Sequence, residues 1–110
     1  MNIDDLNEKF IEEAAKREEI ARQKCGHRPG RFQAMARQQG ALHAAIKLIS
    51  TKEPSEGLKK LYLCQGEIPD AHKLSIEQLY IEFAEQYRSQ FPDLFPDDVI
   101  QRARAKLPNK

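Results

Sequence analysis

No apolar run in this sequence approaches the roughly 18 residues that a membrane-spanning helix requires, so no span is expected. Cysteine occurs only twice, at Cys25 and Cys64. That is too few for a disulfide framework, and the pair reads as reduced thiols of a cytosolic protein. The opening residues, Met-Asn-Ile-Asp-Asp, are acidic, the reverse of a secretory or mitochondrial signal, so a cytoplasmic location is expected. A phosphate-cradling glycine loop, a His-Glu-x-x-His and a Gly-x-Ser-x-Gly are all missing. The carboxylate pairs Glu12–Glu13, Glu18–Glu19 and Asp97–Asp98 are neighbours in sequence. On a helix such neighbours do not face each other, so they are solvated faces or dipole partners rather than acid–base couples. No enzymatic activity, catalytic residue or cofactor is therefore expected. Internal repeats and low-complexity segments are absent too.

The most informative absence is electrostatic. Between positions 20 and 52 there is no acidic residue, while seven bases occur: Arg22, Lys24, Arg28, Arg31, Arg37, Lys47 and Lys52. Residues 1–19 carry seven acids against three bases, and residues 53–110 carry ten acids against eight bases. The formal net charge of +1 thus conceals an acidic start and a basic middle. Such a middle suits a polyanionic partner.

What is present points to helices. The chain has 110 residues, enough for one domain that can bury roughly two thirds of its unfolded surface without a staple. Apolar residues make up 40 % and charged residues 32 %. Few are β-branched, and Ala, Leu, Glu, Gln, Lys and Arg are abundant, the composition of helices with long solvated faces. No segment alternates apolar and polar residues over a strand's length.

Periodicity predicts a long amphipathic first helix from about Asp4 to Lys24, with Ile3, Leu6, Phe10, Ala14 and Ala21 on one stripe. Gly26 and Pro29 end it. A second helix opens at Pro29 and runs to Gln39, with Phe32, Met35 and Ala36 inward. Gly40 breaks the chain, and a third helix runs to Ser50 on Leu42, Ala45, Ile46 and Ile49. Ser55 is expected to cap a short fourth helix carrying Leu58, Leu61 and Tyr62, closed by Gly66, with a loop over 67–74. Ser75 with Gln78 reads as a capping box, and Leu74 with Leu79 as its hydrophobic staple. The fifth helix follows on Ile76, Leu79, Tyr80, Phe83 and Tyr87, and a sixth spans about Pro96 to Leu107 on Val99, Ile100, Ala103 and Leu107. The expected fold is all-α: a single domain over 1–110, a compact bundle of about six helices, with residues 1–24 as the long N-terminal helix and 28–107 as the helical core.

The second and third helices form a helix-turn-helix-like pair at 30–51. Ala36 stands where a small residue lets two helices cross, Gly40 falls on the turn, and Ile46 and Ile49 take the buried positions of the second helix. Gln39 and Ala41 fit the pattern poorly. If the pair binds DNA, His43, Lys47 and Ser50 reach the groove while Arg28, Arg31 and Arg37 hold phosphates. Against that, the exposed face of the third helix is poor in Asn, Gln and Arg, the best readers of base edges. The alternative is an ordinary hairpin with solvated charges. Cys25 and His27 with Cys64 and His72 lack the paired spacings of a zinc site, and no metal is expected. The aromatics Tyr80, Phe83, Tyr87, Phe91 and Phe95 read as core.

From Arg28 onward the chain resembles a short helical domain that recurs in bacterial and prophage-type proteins. Pro29, Arg31, Phe32, Met35, Gly40, Ala44, Ala45, Lys47 and Leu48 carry the likeness. So do Pro54-Ser55-Glu56-Gly57, Leu61-Tyr62, Gly66, Leu74-Ser75-Ile76-Glu77, Leu94-Phe95 and the Asp97–Leu107 stretch. These positions are structural punctuation and core, and the stretches 66–75 and 76–95 are longer than in that domain. The resemblance implies a helical adaptor-like module in a phage, mobile-element or defence setting. It implies no substrate and no site residue.

Two readings follow. In the first, the chain is a non-enzymatic interaction protein whose basic 22–52 face meets DNA or another polyanion. In the second it is a protein-binding adaptor, inhibitor or homodimer. Its contact surface is then the first helix, through Phe10 and Ile11, and the 67–74 loop, through Ile68.

Overall fold

A computed structural model describes residues 2–25, 31–50, 63 and 71–107. Its first helix, α1 (Ile3–Cys25), is closed at the front by a reciprocal pair of hydrogen bonds. The Asp5 N–H donates to Asn2 Oδ1 (2.9 Å), and the Asn2 N–H donates to Asp5 Oδ2 (3.1 Å). Asn2 and Asp5 thus do the work of a capping box, satisfying donors that a helix start leaves open. At 1.5 Å per residue α1 runs about 34 Å, nearly the 38 Å long axis of the fold.

Of the stripe expected on α1, Leu6, Phe10, Ala14 and Ala21 are buried, whereas Ile3, at the helix start, is 40 % exposed. Phe10 is 0 % exposed. Its ring meets Phe83 edge-on at 4.9 Å between centroids and Phe32 at 5.8 Å. Phe10 therefore ties α1 to two other helices and is a core residue. This removes it from the partner surface expected of it, because its ring is enclosed by the other helices. Ile11 is half-buried against the same core. Ile68 lies outside the described residues.

Helix α2 (Arg31–Gln39) buries Phe32 and Ala36. Gly40 alone separates it from α3 (Ala41–Ile49). The Gly40 N–H donates to the Ala36 carbonyl (2.9 Å), and the Gly40 carbonyl accepts from Ala44 N–H (3.0 Å). One residue thus completes one helix and begins the next. It does so at φ +90° and ψ 148°, a region essentially closed to residues bearing a Cβ. The sequence places the break correctly, but the connection is one residue where a helix-turn-helix uses three or four.

Helix α4 (Ile76–Tyr87) starts at Ser75, whose Oγ accepts from the Gln78 N–H (3.1 Å). Half of the expected capping box is thus present. The Gln78 amide donates instead to Glu82 Oε2 (3.1 Å). Residues 71–74, expected as loop, form one 3₁₀ turn. After α4, a 3₁₀ turn at Pro92–Leu94 leads to α5 (Asp97–Lys106). The buried Tyr80 hydroxyl donates to the Leu94 carbonyl (2.7 Å), and its ring packs on Phe95 at 5.3 Å. Burial pushes the Tyr80 phenol well above its ordinary value, with the Asp98 charge adding to the rise and Arg88 opposing it.

Among the described residues there are five α-helices, two 3₁₀ turns and no strand. The chain is all-α as expected, with five helices described where about six were read. The expected helix at 55–66 lies outside the described residues apart from Leu63. No described helix is long and apolar enough to cross a membrane.

The short α3 lies at the centre, packing on α1, α2, α4 and α5. Nine residues are too few for a helix to persist by itself in water, and α3 has no capping side chain of its own at Gly40. Both its ends are finished by other helices. Asn7 of α1 accepts from the Leu42 N–H through Oδ1 (3.0 Å). Two cations of α5 take the carbonyls at the far end. Arg102 Nη1 donates to the Ser50 carbonyl (2.9 Å), and Lys106 Nζ donates to those of Ile49 (2.6 Å) and Leu48 (3.3 Å). Positive charge at the carbonyl end of a helix is also favoured by its dipole.

Candidate nucleic-acid interface

The exposed residues of α2 and α3 follow from which stripes the core claims. Burying Phe32 and Ala36 leaves Ala34, Arg37, Gln38 and Gln39 outward on α2. Burying Ala41, Leu42, Ala44, Ala45 and Ile49 leaves only His43 and Lys47 exposed on α3, with Ser50 at its end. Positions 43, 47 and 50 fall on one helix face. Arg37 and His43 flank the Gly40 elbow at equal spacing in sequence.

Three of the five residues expected to bind nucleic acid are therefore exposed in the described structure: Arg37, His43 and Lys47. None of the three has an ion-pair partner among the described residues. Arg31 opens α2, but its side chain is outside the described set, and Arg28 and Lys52 lie outside the described residues. The side chains of Cys25, His27, Cys64 and His72, weighed as metal ligands, are also outside it.

Two differences from the sequence reading change the shape of the face. Arg22 does not contribute a free charge, because its guanidinium holds Glu19 through Nε (3.0 Å) and Nη2. In its place the fold brings up α5. Arg102 and Lys106 come from more than fifty residues away to the carbonyl end of α3, beside Lys47 and Ser50. Arg102 spends one of its five donors on Ser50 and makes no ion pair among the described residues. Burial holds the Lys106 amine below its ordinary value, the Glu77 carboxylate opposes this, and the Arg102 charge reinforces it. Glu77 is itself fully buried, so Lys106 belongs to the frame of the face and Arg102 to its surface.

The elbow end is bounded by acids. Asn7, which holds the Leu42 N–H, sits one turn after the exposed Asp4 and next to the exposed Glu8. The face is cationic from the elbow along α3 to Arg102, with a negative edge on α1. An anion lying on it is pushed toward α5.

Away from this face, one cation ties two helices together. Arg17 bridges α1 and α4 with a fork onto Glu82 (2.8 and 3.1 Å) and a bond to the Lys73 carbonyl (3.0 Å). The hydrogen bond from Arg17 holds the Glu82 carboxyl below its ordinary value. Lys9, Lys16, Glu12 and Glu13 line an open cleft beside this fork with charges of both signs, which gives no net field for a polyanion.

Glu18 is the strained member of the set. Its Oε2 accepts from Gln33 Nε2 (3.1 Å), while Oε1 is shut from solvent with no hydrogen-bond partner among the described residues. Burial raises its carboxyl above the ordinary value, and the Gln33 bond only partly offsets this. A raised folded-state value means that stability is full below the unfolded carboxylate range and is lost as pH climbs through the folded value. Glu18→Gln removes the charge and keeps a carbonyl for Gln33. Its melting temperature is expected to exceed that of the parent at pH 7, with the gain vanishing below about pH 4. Thermal scans by circular dichroism across that range check it; an equal gain at every pH would assign the effect to something other than ionisation.

No family of known proteins, no curated protein and no solved structure matches the chain.

Proposed function

We propose that this chain is a non-enzymatic interaction protein that binds DNA or a comparable polyanion through the exposed side of the α2–α3 elbow. One observation supports the reading above others: Arg37, His43 and Lys47 stand exposed, with no ion-pair partner among the described residues, on a stretch, 31–50, that contains no carboxylate. Arg102 extends that face. The adaptor reading through α1 has no comparable support, since Phe10 is core and Ile11 is half covered. The phage, mobile-element or defence setting implied by the resemblance is compatible with either partner and remains part of the proposal.

Phosphate contacts release condensed counterions, so affinity falls by about 0.9 of a logarithmic unit per contact for each tenfold rise in salt. Arg37, Lys47 and Arg102 together lead to a drop of about twentyfold in duplex affinity between 50 and 150 mM salt. Fluorescence anisotropy with a labelled duplex measures this. The double change Arg37→Glu with Lys47→Glu is expected to weaken binding by at least about tenfold at the lower salt, because it removes two attractions and adds two repulsions. Neither side chain touches the core, so the helical circular dichroism should not move. Lys16→Glu, in the mixed-charge cleft, is expected to leave binding as it was. Unchanged affinity in the double variant, or equal losses at all three lysine and arginine positions, would defeat the proposal.

A further inference from the structure

We infer that the α3 face holds the phosphodiester backbone of a duplex and reads no base sequence. The inference rests on the polyanion reading above and adds what that reading leaves open, the kind of recognition. A helix that reads sequence must stand proud of its protein. It enters a major groove about 12 Å wide with its first residues against the base edges. α3 cannot do this. It is the central helix, covered by α1, α2, α4 and α5. Its first turn is closed off by Asn7, whose side chain holds the Leu42 N–H and fills the space a Cβ on Gly40 would meet. Its last carbonyls are occupied by Arg102 and Lys106. What it offers outward is a single narrow row, His43, Lys47 and Ser50, with no Asn, Gln or Arg among them.

Such a row suits a line of phosphates. Lysine delivers a point charge with rotatable donors, and a serine hydroxyl and an imidazole N–H add hydrogen bonds to phosphate oxygens. Arg102 lengthens the row past the carbonyl end of α3, and Arg37 adds an exposed cation on α2, three residues before the Gly40 elbow. Contacts of this class fix the position of a duplex and carry no sequence information. The acidic edge at Asp4 and Glu8 repels a second strand of phosphates, so the contact is one-sided rather than an encircling grip.

The test is selection of the whole chain on a randomised duplex pool, followed by titration of unrelated duplexes by anisotropy at low salt. No enriched motif is expected, and dissociation constants should agree within about threefold, against the thousandfold or more that separates specific from non-specific sites. His43→Ala and Ser50→Ala are expected to weaken every duplex by the same factor. An enriched motif, a duplex preferred by more than about tenfold, or a His43 or Ser50 variant that reorders the duplexes would overturn this inference and leave the polyanion face standing. Failure to bind any duplex at low salt would end both.

Discussion

Phe10→Ala is expected to lower the unfolding free energy by about 3–5 kcal/mol, the range for truncating a fully buried aromatic. The position justifies the upper part of that range. Phe10 is enclosed, and its ring touches Phe32 from α2 and Phe83 from α4. Phe83 in turn packs on Tyr87 at 5.4 Å. Removing one ring leaves two aromatic neighbours facing a void, and contacts between rings at this spacing contribute beyond their buried area. A domain of this size is stabilised by only about 5–15 kcal/mol in total, so the variant should be partly unfolded at moderate temperature. Denaturant titration followed by circular dichroism gives the value. A loss under about 1 kcal/mol would contradict the packing of α1 against the other helices. The same experiment shows why a charge at Phe10 is a poor probe of partner binding: it would report unfolding.

Gly40→Ala is expected to cost about 2–4 kcal/mol, an unusually large penalty for adding one methyl group to a half-exposed residue. Most of it is backbone strain, about 1–3 kcal/mol for a Cβ at this φ and ψ. The remainder is steric. The new Cβ would stand 3.3 Å from the Asn7 side-chain nitrogen, on the residue that caps α3 in place of a local serine or aspartate. If Asn7 yields, the Leu42 N–H loses its acceptor, worth about 1 kcal/mol for a cap of this kind. Asn7→Ala made alone should cost about that amount. Combined with Gly40→Ala it should cost less than the two separately, since the cap cannot be lost twice. Strict additivity would show that the methyl group and Asn7 do not meet.

The parts of this fold legible in the sequence are those governed by neighbours along the chain. Leu6, Phe10 and Ala14 recur at helical spacing and are buried together. Ser75 announced the start of α4, and Gly40 marked the break between α2 and α3 at the correct residue. The ends of α3 were illegible, because their caps come from Asn7 before it and from Arg102 and Lys106 far beyond it. No local pattern distinguishes a capping Asn7 from any other asparagine on a helix face. The candidate site suffers from the same limit in one part and from a boundary effect in another. The acid-free window opens at Ile20, one residue after Glu19, and a helix joins residues three apart. Arg22 therefore finds its carboxylate just outside the window that made it appear free. Arg102 is the reverse case, a cation from a mixed-charge segment that only the crossing of α5 over α3 delivers to the face.

A helix finished at both ends by borrowed groups sets an order of events during synthesis. As the polypeptide leaves a ribosome, residues 41–49 emerge with Asn7 already available, but Arg102 and Lys106, which bond the Ser50 and Ile49 carbonyls, follow only after more than fifty further residues. The carboxyl end of the middle helix is thus the last part of it to receive its partners. Chains released before Arg102 has been added would lack the closing group. They should be the ones that proteases remove.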